Sequence, residues 1–134
     1  MITRLSHATV YVLDHDRAID FYTNKLGLEV RTDARMGDFR WVTVGVPGQP
    51  ELEIALMEPK AGMTMDAETA AQLRSLVKKG VLGGGVFDTE DCAATYEQLK
   101  AQGVEFKGAP EKQPWGIAAV FRDDSGNFYS LSQH

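Results

Sequence analysis

His7-Ala8-Thr9-Val10-Tyr11-Val12-Leu13-Asp14-His15-Asp16-Arg17-Ala18-Ile19-Asp20-Phe21-Tyr22 carries two periodicities in succession. In its first six residues Ala8, Val10 and Val12 alternate with His7, Thr9 and Tyr11, which gives a strand one apolar face and one polar-leaning face. Asp14 and Asp16 then offer helix N-caps, because a carboxylate accepts the amide hydrogens that a first helical turn leaves without partners. Ala18, Ile19, Tyr22 and Leu26 recur at helical spacing, Gly27 supplies a stop, and Leu28 to Val30 begins the next strand.

The same order of signals returns from Leu82. Gly83 to Thr89 reads as a short strand, and Asp91 stands where Asp14 stood. Ala94, Tyr96, Leu99 and Gly103 repeat the amphipathic helix and its stop, and Val104-Glu105-Phe106 repeats the exit strand. Two further strands follow each exit strand: Phe39 to Val46 and Leu52 to Met57 in the first half, Ile117 to Arg122 and Phe128 to Gln133 in the second. Pro47-Gly48-Gln49-Pro50 and Asp123-Asp124-Ser125-Gly126-Asn127 are the turn signals between them. The pattern predicts an α+β chain, one domain over 1–134, made of two β-α-β-β-β modules, 1–58 and 81–134. The 59–80 stretch between them reads as an inserted helix, capped by Asp66, striped by Ala70, Leu73, Leu76 and Val77, and ended by Gly80.

Composition narrows the function. The chain has 134 residues, 43% hydrophobic and 25% charged, a globular mix. A net charge of −5 argues against nucleic acid or an anionic membrane as partner. No apolar run approaches the roughly 20 residues that span a bilayer. Met1 to Leu5 lacks the pattern of a signal segment, and the single cysteine, Cys92, makes no internal disulfide. A cytoplasmic protein is expected. Cys92 opens the second helix, where a thiol is more readily ionised, yet no histidine partner accompanies it in the sequence. Gly83-Gly84-Gly85 lacks the lysine and spacing of a phosphate loop.

His7 to Val12, Asp16 to Tyr22 and Leu26-Gly27-Leu28-Glu29-Val30 resemble the opening module of the vicinal-oxygen-chelate superfamily of glyoxalases, bleomycin-resistance proteins and dioxygenases. Asp123-Asp124-Ser125-Gly126-Asn127 resembles its closing turn, usually D-P-x-G-N. The resemblance implies that the modules form a cup-shaped mixed sheet, with helices on one face and the ligand on the other. It also implies a homodimer. Members isomerise, epimerise, transfer thiols, oxidise catechols or sequester antibiotics, so the fold leaves the activity open.

Family enzymes place one metal ligand on each of four cup strands, and local motifs carry those positions to His7, Ala55, Gly84 and Ser130. Only His7 is a good ligand for a divalent cation, so no metal and no other cofactor is expected. A shifted set of His7, Glu53 and Asp88 moves two anchor points by about 7 and 13 Å at the rise of a strand. On the cup face, alternation places His7, Thr9, Tyr11, Phe39, Trp41, Thr43, Glu53, Ala55 and Met57 in the first module. In the second it places Gly84, Val86, Asp88, Phe128, Ser130 and Ser132. From these come the expected ligand contacts His7, Tyr11, Phe39, Trp41, Glu53, Met57, Phe128 and Ser130, joined by Trp115, whose Trp115-Gly116 turn resembles one in the antibiotic-binding branch. His7 and Glu53 are the candidates for catalysis. The expected function is metal-free binding of a small, partly aromatic molecule. The alternatives are a glyoxalase-like lyase or isomerase or a dioxygenase-like enzyme, and a protein whose cup is filled by its own side chains and serves an interaction.

Overall fold

The computed structural model describes residues 1–62 and 64–134. Among the described residues three aspartates start the three α-helices. Asp14 caps α1 (His15–Asp20), its carboxylate accepting from the Arg17 N–H at 2.9 Å. Asp66 caps α2 (Ala67–Lys79) through the Thr69 N–H at 2.7 Å, and Asp91 caps α3 (Cys92–Ala101) through the Ala94 N–H at 3.0 Å. Each cap is worth about 1 kcal/mol against alanine. α1 does not stop at Asp20. It widens into a π-helical turn over Phe21–Lys25, in which the Leu26 N–H donates to the Phe21 carbonyl at 3.2 Å.

Two sheets repeat one topology. The first runs β1 (His7–Tyr11), β4 (Glu53–Met57), β3 (Phe39–Gly45), β2 (Glu29–Met36), with β1 parallel to β4 and the other pairs antiparallel. The second runs β5 (Gly83–Asp88), β9 (Phe128–Gln133), β8 (Gly116–Arg122), β6 (Glu105–Phe106), with β5 parallel to β9. Module two adds a strand the sequence pattern did not predict, β7 (Glu111–Gln113) on β8. Its three residues are polar and exposed, so no apolar alternation announces it.

One core joins the modules on their helical side. Val10, Val12, Val42, Val44 and Leu56 from the first sheet pack with Ala18, Phe21 and Tyr22, and the same cluster holds Phe121, Tyr129 and Leu131 from the second sheet with Cys92 and Leu99 of α3. Burying each large side chain contributes roughly 1.5–3 kcal/mol. A polar seam crosses this core. Tyr22 Oη donates to Asp123 Oδ2 at 2.6 Å and lies 2.7 Å from Tyr129 Oη. Asp123 Oδ1 accepts the N–H groups of Ser125, Gly126 and Asn127, each at 2.9 Å. Asn127 Nδ2 donates to the Tyr11 carbonyl at 2.7 Å, and the Leu13 N–H donates to Ser125 Oγ at 2.9 Å. The closing turn of module two is thereby fastened to the end of β1. α2 is tied to both modules, Arg74 donating to the Leu13 carbonyl at 2.8 Å and Arg122 to the Gly80 carbonyl at 3.0 Å.

The expected faces hold except at one place. β5 carries a bulge between Gly83 and Gly85, since Gly83 pairs with Phe128 and Gly85 with Tyr129. The extra residue, Gly84, therefore turns to the helical side, where a Cβ would run into the Tyr129 ring. Gly84 is not a cup position. Gly83 is, lying against Phe128.

Candidate functional site

Parallel pairing of β1 with β4 sets His7 opposite Glu53, Thr9 opposite Ala55 and Tyr11 opposite Met57. Glu53, not Ala55, is thus the cross-strand neighbour of His7. Its Oε1 lies 3.6 Å from His7 Nε2, longer than a good hydrogen bond, which leaves room for a ligand atom to engage both groups. The fully buried Thr43 holds the carboxylate from below, its Oγ1 donating to the same Oε1 at 2.7 Å. Ser6 Oγ lies 2.9 Å from His7 Nδ1 and steadies the ring from the other side. The His7 side chain is 40% exposed and that of Glu53 24%, so both face outward from a firm floor.

A row of rings leads to this pair. Phe39 and Trp41 centroids are 6.4 Å apart, and those of Trp41 and His7 5.8 Å. Alternation along β3 keeps Phe39, Trp41 and Thr43 on this face while Val42 and Val44 enter the core. Tyr11 and Met57 are half-buried at the other end of the β1–β4 pair.

Module two supplies different chemistry. Val86 pairs with Ser130 and Asp88 with Ser132, and the Ser130 and Ser132 hydroxyls lie 2.9 Å apart. Asp88 Oδ1 is 3.4 Å from His134 Nε2, and the His134 ring sits 5.0 Å from that of Trp115. Phe128, Val86 at 64% and Trp115 at 48% are exposed. Among the described residues no three His, Cys, Asp or Glu side chains come together to hold a metal, so the shifted set of His7, Glu53 and Asp88 is not assembled within a chain. The donors do not fit the family's metal: across the cup, the paired strands β1 and β4 set His7 beside Glu53, and the paired strands β5 and β9 set Val86 beside Ser130, with Asp88 turned to His134.

Two clefts of the single chain lie away from the His7–Glu53 pair. One of about 290 Å³, floored by Leu26, Val46 and Phe87, separates the end of the π-turn from α3. Another, of about 460 Å³, lies among Lys78, Arg122 and Asp124. Neither includes His7, Trp41 or Glu53. A third, of about 380 Å³, borders module two's cup face at Ala118 and Val120, which pair with Ser132 and Ser130, while the ring row of module one stands on an open sheet surface. Beside the second cleft, Asp124 Oδ1 is buried without a hydrogen-bond partner among the described residues, and burial next to Asp123 pushes the carboxyl up to about 6.

The sequence placed Thr43 on the cup face but gave it no role. Only the strand register, which brings it beneath Glu53, reveals that it anchors the carboxylate. His134, a terminal histidine in the sequence, gains its place from pairing with Asp88 and Trp115. Among the described residues no helix is long and apolar enough to cross a membrane.

Known proteins share this architecture. Residues 4–130 match the Glyoxalase/Bleomycin resistance protein/Dioxygenase superfamily. The crystal structure of UcmS2 is 50% identical, with a TM-score of 0.94 and 100% of both chains covered. TnmS3, an antibiotic binding protein from Streptomyces sp. CB03234, is 29% identical, with a TM-score of 0.77 over 98% of this chain and 96% of its own. The uncharacterized protein YetH of Bacillus subtilis (strain 168) is 33% identical over 99% of this chain and 100% of its own. The chain belongs to the glyoxalase/bleomycin resistance protein/dioxygenase superfamily.

Proposed function

We propose that this protein binds a small, partly aromatic molecule, without a metal, in cups built by two copies of the chain in the cytoplasm. The observation that carries this reading is the row Phe39, Trp41, His7 on an open sheet face, ending at the anchored Glu53. Aromatic surface supplies burial and stacking, and a few fixed polar groups supply orientation, as in small-molecule sites generally. The antibiotic-binding relative from Streptomyces supports it. So does the exposure of Val86, Phe128 and Trp115 on module two, apolar surface available to a second copy of the chain related by a two-fold axis. The test is a fluorescence titration with planar aromatic probes: binding should change tryptophan emission, and Trp41→Ala should remove most of that change. Unchanged emission across a broad panel sinks the reading.

A second reading has one specific observation behind it, the 3.6 Å approach of His7 and Glu53. In an enzyme the pair would work as acid and base on a bound substrate. Product analysis of the same panel separates the two: turnover that falls by about 10²–10⁴ in Glu53→Gln establishes the enzyme.

A further inference from the structure

Building on the ligand-binding reading, we propose that the ligand carries a hydrogen-bond donor, a hydroxyl or N–H, on the edge of its ring system, and that Glu53 selects for it. The two oxygens of Glu53 are in different situations. Oε1 accepts from Thr43 Oγ1 at 2.7 Å and is the oxygen that faces His7 Nε2. Oε2 receives no hydrogen bond from any described residue, and it is not among the buried polar atoms without a partner, so it is within reach of solvent on a side chain that is 24% exposed beside His7. A carboxylate accepts only, with about four lone-pair sites over its two oxygens. Most of that capacity is unused by the chain.

The anchor makes this capacity selective. Thr43 is fully buried in the sheet and cannot swing away, so the carboxylate is held in place before any ligand arrives. The ring row then fixes where a ligand edge falls: a planar molecule lying over Phe39 and Trp41, and extending toward His7, brings its rim to Glu53. A rim hydroxyl or N–H completes a charge-assisted hydrogen bond with Oε2. A rim ether or carbonyl meets a second acceptor instead, and the carboxylate loses water with nothing in return. The site therefore discriminates by the sense of one hydrogen bond, which aromatic stacking alone does not do.

The probes are 2-naphthol and 2-methoxynaphthalene, nearly equal in ring surface and differing in the donor, titrated at neutral pH into the unmodified protein by calorimetry and tryptophan fluorescence. The naphthol should bind about ten- to hundred-fold more tightly. In Glu53→Gln that preference should shrink to within about threefold, with naphthol losing affinity and the ether keeping its own; Thr43→Val, which frees the carboxylate, should narrow it partway. Equal affinity of the two probes for the unmodified protein, with tryptophan emission responding to both, overturns the selection by Glu53 and leaves the binding reading standing. A preference that persists undiminished in Glu53→Gln also overturns it. Absence of heat and of emission change with either probe overturns the selection by Glu53, and the same silence across the broad panel overturns the binding reading as well.

Discussion

Gly84 lies against the ring of Tyr129, turned inward by the bulge that gives β5 one residue more than β9. Tyr129 is buried and bonded to Tyr22, so it has no direction in which to yield. Gly84→Ala should therefore destabilise the protein by about 1–3 kcal/mol, the usual result of overfilling a packed core. Urea unfolding checks this. A neutral substitution would mean that Tyr129 is free to move.

The seam between modules makes a second prediction. Tyr22→Phe removes the donor to Asp123 Oδ2 and leaves that oxygen with Asn127 Nδ2, at 3.0 Å, as its remaining partner. A loss of about 1–3 kcal/mol is expected for a buried carboxylate deprived of a hydrogen bond. Its effect on ligand affinity should be slight, because Tyr22 belongs to the core and not to the cup. Denaturation and titration of the same variant separate the two outcomes.

Asp124 sets a pH dependence. Its carboxyl is raised from the ordinary 3.8 to about 6 by burial and by the neighbouring Asp123 charge. The folded state thus holds this proton more tightly than the unfolded chain does. Its ionised form opposes folding above about pH 6, and the penalty fades as pH falls toward 3.8. Asp124→Asn should melt higher than the unmodified protein above that range, with the gap closing on acidification. Melting temperatures across pH test it, and a constant gap would refute the assignment.

Trp41→Ala and Trp115→Ala address the two halves of the cup. Loss of a stacked ring should weaken binding of a planar probe several-fold to tenfold or more. If each cup combines modules from two chains, both substitutions should weaken the same binding event, and light scattering should report a dimer at micromolar concentration. A stable monomer that binds with undiminished affinity would exclude the shared cup.

Local chemistry was legible in the sequence. Asp14, Asp66 and Asp91 announce their helices because an N-cap depends on residues within one turn, and alternation along β3 assigns Trp41 and Thr43 to the cup because a strand has only two faces. Two features were not legible. The Gly83–Gly85 bulge reverses the parity of one residue without any side chain to mark it. The register that sets Glu53 opposite His7 belongs to a parallel pair whose strands are separated by a helix and two further strands, so no turn between them fixes it. The candidate site rests on that register: the sequence named both residues on one face, and only the register sets them directly opposite each other.

The bond from Asn127 to the Tyr11 carbonyl joins positions 116 apart in the chain, and the core around Tyr22 is completed by Phe121, Tyr129 and Leu131. During synthesis the first module emerges with only its own helix over its valines, and the second sheet's share of that core arrives only with β8 and β9. Its exposed valines and aromatics must then be kept from other chains by speed or by chaperones, since contacts of such long range form slowly. Removing β9 should accordingly abolish the native state of both modules, including the half that was made first.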